Sequence, residues 1–146
     1  MRENNGLLNH ILYLAQKLSD CDMIYIIIYM LGDLDTPTRP KGYEYLKTAI
    51  QCQYDDPFQY LTKSLYPTVA KMCNSKATGN QVERDMRNVI HKAWESRDTE
   101  TWEWYFGSDC EECPTTGEFI AKMAEALKLW KGCSTAYKLS KKEGKE

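Results

Sequence analysis

The sequence predicts an all-α fold, a compact domain of six to seven helices that contains a helix-turn-helix. Apolar residues recur at helical spacing along nearly the whole chain, two capping boxes mark helix starts, and no two strand-like segments could pair with each other. The 146 residues are about one domain's worth of chain. A charged fraction of 27% and a lack of low-complexity tracts argue against intrinsic disorder.

The first half of the chain contains three predicted helices. Residues 1–21 carry one continuous apolar face at helical spacing. Residues 23–34 would suit a buried strand, but no partner strand exists, so we expect a mostly buried helix that ends before Pro37. A third helix is marked by Tyr43, Leu46, Ala49 and Ile50.

Clear helix boundaries follow in the middle of the chain. Pro67 is tolerated only near the start of a helix, which predicts a short turn and then a helix over residues 66–73. A capping box at residues 78–81, with a second candidate cap at residues 80–83, predicts a helix over residues 80–96.

Two more helices complete the predicted fold. A short aromatic helix is expected over residues 101–106, and a capping box at residues 115–118 begins the last helix. Its apolar residues in register are Phe119, Met123, Leu127 and Trp130. The Lys- and Glu-rich residues from Tyr137 onward are expected to fray, and residues 133–146 are predicted to form a charged, flexible tail.

The helices over residues 66–73 and 80–96, joined by a tight turn, have the proportions of a helix-turn-helix. The second helix has a core stripe of Val82, Met86, Val89 and Ala93. Its opposite face carries donors suited to base edges and phosphates, namely Gln81, Arg84, Asn88 and His91, flanked by Arg87 and Lys92. The alternative interpretation is a polar face that is simply solvated.

The distribution of charge along the chain favours nucleic-acid binding more than the net charge of the whole chain does. The formal net charge is -2, which by itself argues against a nucleic-acid partner. Residues 63–97, however, hold seven basic and three acidic side chains, a net +4, while the remainder holds 12 basic and 18 acidic, a net -6. A local positive region is what phosphate contact requires.

Several blocks of sequence resemble, in order and spacing, the C-terminal effector domain of the sporulation initiation response regulator, stage zero sporulation protein A. They are Lys-Gly-Tyr-Glu-Tyr-Leu at 41–46, Leu-Tyr-Pro-Thr-Val-Ala-Lys at 65–71, Val-Glu-Arg-Asp-Met-Arg at 82–87, Ala-Trp at 93–94, and Pro-Thr at 114–115 with Glu-Phe-Ile-Ala at 118–121. The resemblance covers about residues 22–130. It implies a six-helix domain that binds duplex DNA through its helix-turn-helix and regulates transcription on entry into sporulation, often as tandem protomers on adjacent half-sites.

The resemblance places the family's recognition segment on Val82, Glu83 and Arg84. Arg84 is the first candidate for a guanine contact, because its planar fork can donate to O6 and N7 together. Glu83 would accept from a cytosine amino group, or would serve only as an acid in the first helical turn. Arg87 matches a family arginine expected at phosphate. The remaining predicted DNA-binding residues are Gln81 and Asn88 in the major groove, with Lys71, Lys76 and Lys92 on phosphates.

The chain departs from the family pattern at four positions of this helix. The family's Ser-Arg is replaced by Asn80-Gln81, its small residue by Asp85, and its His by Asn88. Losing a bidentate base contact costs about 1–3 kcal/mol. We therefore expect weaker binding to the family's DNA site, or a different sequence preference.

The chain is predicted to divide into three parts: an extra amphipathic helix at 1–21, an effector-like domain at 22–132, and the tail at 133–146. Residues 1–21 are too few for the phosphorylatable receiver that precedes this domain in the full-length regulator. Two interpretations of the extra helix stay open. It completes the core, or it mediates self-association.

Six irregularly spaced cysteines and no secretory signal predict reduced thiols and a cytoplasmic protein without a membrane span. Cys110 and Cys113 have the spacing of half a zinc site or a redox pair. No second pair completes a metal site, and neighbouring acids disfavour a thiolate. We expect a plain loop, with no metal and no cofactor.

The leading functional hypothesis is a DNA-binding transcriptional regulator without a receiver domain, with double-stranded DNA as partner. The alternative is a protein-interaction module that pairs with itself or with a related regulator and has weakened or lost DNA binding. An enzyme is not predicted, because His10 and His91 are the only histidines and no phosphate loop or paired-histidine motif is present.

Overall fold

Seven α-helices form most of residues 5–143, the part of the chain described by this computed structural model. They are α1 (Asn5–Lys17), α2 (Met23–Asp33), α3 (Lys41–Asp55), α4 (Tyr66–Met72), α5 (Gly79–Glu95), α6 (Thr99–Phe106) and α7 (Thr116–Glu143). A π-helical turn, Leu61–Leu65, leads directly into α4. The predicted all-α fold is confirmed, and no strand occurs within the described residues. None of these helices is both long enough and apolar enough to cross a membrane.

Reciprocal hydrogen bonds begin two of the helices where the sequence predicts capping boxes. Thr78 Oγ1 accepts from the Gln81 N–H (3.2 Å), and Gln81 Oε1 accepts from the Thr78 N–H (2.8 Å). At α7, Thr115 and Glu118 make the same pair of bonds, at 3.1 and 3.3 Å. Because α5 starts at Gly79, the second candidate cap at residues 80–83 is not used.

The core lies where α1, α2, α3 and α5 all meet α7. The apolar α2 is a helix as expected, and its buried residues face α3 and α7. The inner side of α1 is buried in the same core, as are the apolar positions of α7. The residues concerned are Leu7, Ile11, Leu14 and Ala15 in α1, and Phe119, Ile120, Met123, Leu127 and Trp130 in α7. Of the two interpretations of the N-terminal helix, completing the core is therefore what the packing shows.

The flexible tail predicted for residues 133–146 is corrected for its described part, since α7 continues unbroken to Glu143. Ser134 is 2% exposed and donates to the Ser19 carbonyl oxygen (2.9 Å). Lys138 Nζ lies 3.3 Å from Asp20 Oδ1. These contacts dock the segment against the α1–α2 connection, so its charged side chains form the solvated face of a helix.

A polar cluster joins three helices around Asp33. Tyr105 in α6 donates its hydroxyl to Asp33 Oδ2 (2.9 Å), and His10 Nε2 in α1 lies 2.7 Å from the same oxygen. The His10 ring stacks on Trp104, with ring centroids 4.7 Å apart. Burial raises the pKa of Tyr105, and the Asp33 charge and hydrogen bond raise it further. The folded protein therefore holds this phenol in its neutral form.

The helices α3 and α5 cross closely at Gly42. A Cβ at this position would lie 2.2 Å from the Asp85 carbonyl oxygen and 2.7 Å from Val89 Cγ2, distances that real side chains do not tolerate. Since both obstructing groups belong to the interior of a packed helix, neither can move aside cheaply. Only glycine permits this crossing.

Gly42→Ala is expected to lower the free energy of unfolding by about 1–3 kcal/mol, the usual cost of overpacking a core. Gly32→Ala is the matched control, because nothing lies within 4 Å of a Cβ there. In a helix, that control is expected to be neutral or stabilising by up to about 1 kcal/mol. Urea denaturation measures both. Equal stabilities for the two variants would contradict the close crossing.

Alkaline pH is expected to destabilise the protein in part through Tyr105. The pKa of Tyr105 is raised in the folded state, whereas in the unfolded chain it is about 10. The neutral phenol therefore contributes its full stabilisation below about pH 10, and that stabilisation is lost as the pH rises above this value. Tyr105→Phe should cost about 1 kcal/mol at pH 7, through the lost hydrogen bond. The variant should also lose less stability than the wild type between about pH 9.5 and 11.5.

Thermal unfolding across that pH range checks this expectation. Tyr60→Phe is the control, because Tyr60 is 76% exposed and should not change the pH slope. A Tyr105→Phe slope identical to that of the wild type would rule out this role for the buried phenol.

Candidate nucleic-acid interface

The predicted helix-turn-helix consists of α4, the turn at residues 73–78, and α5. Asn74 adopts a left-handed conformation (φ 53°), which reverses the chain after α4. Ser75 donates its N–H to the Ala70 carbonyl oxygen (2.8 Å), and its Oγ accepts from the Ala77 N–H (3.0 Å). The Tyr45 hydroxyl of α3 lies 2.8 Å from the same Oγ. The turn is thus fixed to α4 and to α3.

The two faces of α5 separate as the periodicity predicts. The buried side packs against α3, α4 and α7 and consists of Val82, Met86, Val89, Ile90 and Ala93. The opposite side is exposed and consists of Gln81, Arg84, Arg87, Asn88, His91 and Lys92. An exposed donor-rich face on a rigidly packed helix has the form that a major groove accepts.

A polar groove of about 360 Å³ opens beside the start of α5. It brings together three of the predicted residues, Lys76 from the turn and Gln81 and Arg84 from α5. Lys41, at the first position of α3, lies in the same groove and was not among the predicted residues. No local sequence signal identifies Lys41, because it reaches the groove only where Gly42 lets α3 cross α5 closely.

Asp85 also lines this groove, facing the same space as Lys41, Lys76 and Arg84. Its carboxylate is the one acidic group among the groove's lining residues. A carboxylate in a groove that receives phosphate reduces the attraction supplied by the three cations. The groove keeps a net positive charge, but its attraction for phosphate is reduced.

Gln81 is exposed, and its side chain also takes part in the cap of α5. Its Oε1 accepts the Thr78 N–H in the capping box, which orients the side chain along the start of α5. The amide Nε2 hydrogens then remain as its outward donors. Gln81 therefore offers donors to base or phosphate acceptors while its oxygen holds the cap.

Both carboxylate oxygens of Glu83 have partners within the protein. Thr116 at the start of α7 donates to Oε2 (2.7 Å), and Arg87 Nη1 lies 3.3 Å from Oε1. α5 begins at Gly79, so Glu83 falls in its second turn, and the first-turn role considered from the sequence does not apply. Both partners compete with a cytosine amino group for these oxygens, although each carboxylate oxygen can accept a second hydrogen bond. Glu83 ties α5 to α7 and orients Arg87.

The other predicted residues extend the cationic surface beyond the groove. Arg87 is half-exposed beside Glu83, and Asn88 and Lys92 follow along the outer face of α5. Lys71 is exposed on α4, outside the groove. The structure thus brings Lys76, Gln81 and Arg84 together and distributes the rest along α4 and α5.

Cys110 and Cys113 lie in the loop between α6 and α7. Burial is the main cause that raises the pKa of both thiols, and Asp109 and Glu118 add to the effect at Cys110 while Arg97 opposes it. Each thiol points to a backbone carbonyl oxygen, at 3.4 and 3.6 Å. Across residues 5–143, no group of three His, Cys, Asp or Glu side chains is placed to hold a metal ion. All six cysteines are free thiols.

Thr116→Val is expected to lower the free energy of unfolding by about 1–2 kcal/mol, because it leaves one partly buried Glu83 oxygen without its donor. Thr135→Val is the matched control, since that exposed hydroxyl donates only to the Lys131 carbonyl oxygen in its own helix. Chemical denaturation compares the two. Similar losses in both variants would contradict a stabilising link between α5 and α7.

Comparison with known protein families agrees with this architecture. The family model described as "Sporulation initiation factor Spo0A C terminal" matches residues 27–127. The match starts inside α2 and ends inside α7, so it contains the whole helix-turn-helix and the groove, while α1 lies outside it. It covers well over half of the chain, and it confirms the resemblance found in the sequence blocks. The chain therefore belongs to the family of Spo0A C-terminal domains, the DNA-binding effector domains of a transcriptional regulator of sporulation.

Proposed function

We propose that this protein acts in the cytoplasm as a transcriptional regulator that inserts α5 into the major groove of duplex DNA. The observation that carries the proposal is the convergence of Lys41, Lys76 and Arg84 in one groove beside the exposed face of α5. Residues 5–143 supply this surface by themselves, so we expect DNA binding that needs no receiver domain. Catalysis is not part of the proposal.

The rigid attachment of α5 supports sequence reading by its first turns. α5 is held by the close crossing at Gly42, by the turn bonded to Tyr45, and by the Glu83–Thr116 hydrogen bond. In helix-turn-helix proteins, residues near the start of the second helix reach the base edges. Arg84 is our candidate for a guanine contact, with Gln81 and Asn88 as neutral donors on the same face.

Phosphate contacts are assigned to the surrounding cations. Lys41 and Lys76 border the groove, and Lys71, Arg87 and Lys92 flank it on α4 and α5. Glu83 forms an ion pair with Arg87 and is proposed as a residue that positions Arg87, not as one that contacts a base. With four or five such contacts, the logarithm of the binding constant should fall with the logarithm of salt concentration with a slope of about -4.

A second candidate function is supported by specific residues of the same surface. Gln81 stands where the resembling family has an arginine, Asp85 lines the groove, and residues 98–118 carry seven acids and no Lys or Arg. These features weaken attraction to phosphate. They favour a protein-interaction module that pairs with a related regulator and binds DNA weakly or not at all.

Arg84→Ala is expected to weaken binding to a duplex selected from a random pool by about 10-fold or more, since a bidentate base contact contributes about 1–3 kcal/mol. Lys41→Ala should weaken binding to all duplexes similarly and reduce the salt slope by about 1. Fluorescence anisotropy between about 50 and 300 mM NaCl measures both effects.

Lys128→Ala is the control for general loss of positive charge, because Lys128 is exposed on α7 and lies outside the groove. It should leave both affinity and salt slope close to those of the wild type. If the wild-type protein binds no duplex even at about 50 mM NaCl, DNA binding is excluded and the interaction module is favoured.

A further inference from the structure

Three exposed lysines near the end of α7 have no role in the proposed contact between α5 and DNA. They form the α7 lysine cluster, which consists of Lys138, Lys141 and Lys142. These lysines line a cleft of about 230 Å³ between α7 and the connection from α1 to α2, together with Ser19, Asp20 and Tyr137. The family match ends at residue 127, so the cluster lies outside it.

The last turns of α7 concentrate positive charge. Residues 126–142 contain five lysines and no Asp or Glu. In the cleft, the three lysines face one carboxylate, that of Asp20, which lies 3.3 Å from Lys138 Nζ, so the cleft keeps a net charge of +2. Lys131 is exposed seven positions before Lys138, which places it on the same side of the helix. The positive surface therefore extends beyond the cleft along α7.

Contacts between α7 and the α1–α2 connection hold the cleft in place. The Ser134 hydroxyl donates to the Ser19 carbonyl oxygen (2.9 Å) at a position that is 2% exposed. Lys141 Nζ lies 5.7 Å from the centroid of the Tyr137 ring. The lysine ammonium groups can only donate hydrogen bonds, and the hydroxyls of Ser19 and Tyr137 can donate as well. Such a set of groups suits a ligand that presents charged acceptors, and phosphate oxygens are acceptors of this kind.

The α7 lysine cluster is remote from the groove beside α5. Thr116, at the first position of α7, bonds to Glu83 near the start of α5 (2.7 Å). Lys142 follows in the same unbroken helix, about 39 Å further along its axis at 1.5 Å per residue. One turn of B-DNA measures about 34–36 Å. The base pairs contacted by α5 are therefore too distant to reach the cluster, which would meet a neighbouring stretch of duplex or a second duplex.

Nucleic-acid phosphates fit this cluster better than a lipid surface does. A helix that lies in a membrane interface needs a broad apolar face beside its basic one. The apolar face of α7 is already buried in the core, where Leu127 and Trp130 are no more than 2% exposed. Leu139, 58% exposed, adds one apolar side chain next to the lysines. Duplex DNA instead presents about one negative charge per 1.7 Å of its axis, so several phosphates can meet closely spaced lysines.

We propose that the α7 lysine cluster is a second DNA-binding surface, which contacts backbone phosphates without selecting a base sequence. Phosphate contacts position a protein on a duplex but carry no sequence information. The choice of duplex DNA as the partner rests on the proposed function of α5. The two surfaces lie at opposite ends of α7, so their binding can be measured separately.

NMR titration of the isotope-labelled full chain tests this surface through its amide signals. A duplex of about 12 base pairs and arbitrary sequence, at about 50 mM NaCl, should shift the amides of residues 137–142. Lys141→Gln combined with Lys142→Gln should raise the dissociation constant followed at these amides by at least about 5-fold, and reduce its salt slope by about 2. Lys138 is kept in this variant because it pairs with Asp20. The shifts of α5 amides should not change.

Lys122→Gln combined with Lys128→Gln is the matched control, since it removes the same charge from α7 outside the cleft. It should bind at residues 137–142 like the wild type.

Three results would overturn the second surface. They are unshifted amides at residues 137–142, equal weakening by the control variant, and shifts caused by polyglutamate at equal charge concentration but not by the duplex. The last result would assign the cluster to an acidic protein partner. Shifts confined to α5 would support the proposed function and reject the second surface, so the two proposals fail separately.

Discussion

The crossing of α3 and α5 at Gly42 is the constraint on which the rest of the surface depends. The absent side chain lets the α3 backbone approach Asp85 and Val89 more closely than any other residue would allow. That proximity places Lys41, the residue before it, in the groove beside Arg84. It also brings Tyr45 to the turn, where its hydroxyl meets Ser75. One packing contact therefore positions a cation, a turn and a helix relative to one another.

Polar side chains at the start of α5 use some of their hydrogen-bonding groups to hold the helix in place and leave others facing outward. Gln81 contributes its oxygen to the cap and keeps its donors free, whereas Glu83 uses both oxygens on Thr116 and Arg87. In a partly buried position, a carboxylate with both oxygens partnered is costly to detach. Apart from the Asp85 carboxylate, the groups left to meet nucleic acid are consequently mainly donors, led by Arg84. A duplex presents acceptors along its phosphates and at guanine N7 and O6, so the remaining set is chemically matched to it.

Local features of this fold could be predicted from the sequence, while contacts between distant residues could not. Helical periodicity and the two capping boxes depend on neighbours three or four positions apart, and the predicted faces of α5 and starts of α5 and α7 agree with the structure. The Thr116–Glu83 bond joins residues 33 positions apart, and Lys41 reaches the groove only through the close helix crossing. The predicted flexible tail failed for the same reason, since composition alone did not show that Ser134 would bond to Ser19. The apolar periodicity of the sequence predicts which face of a helix is buried. It does not predict which residues that face contacts, because these are set by tertiary packing.

Two residues at the start of α5 lower the attraction of this surface for DNA. Asp85 places a carboxylate beside the three cations of the groove, and Gln81 supplies fewer donors than an arginine would. When two weak sites are joined on one duplex, the second binding event becomes intramolecular, and overall affinity rises by about 10²- to 10⁴-fold without any new contact to DNA. Tandem protomers on adjacent half-sites, the arrangement that the family resemblance implies, would recover in this way what each α5 lacks, and would do so only on DNA with two correctly spaced half-sites.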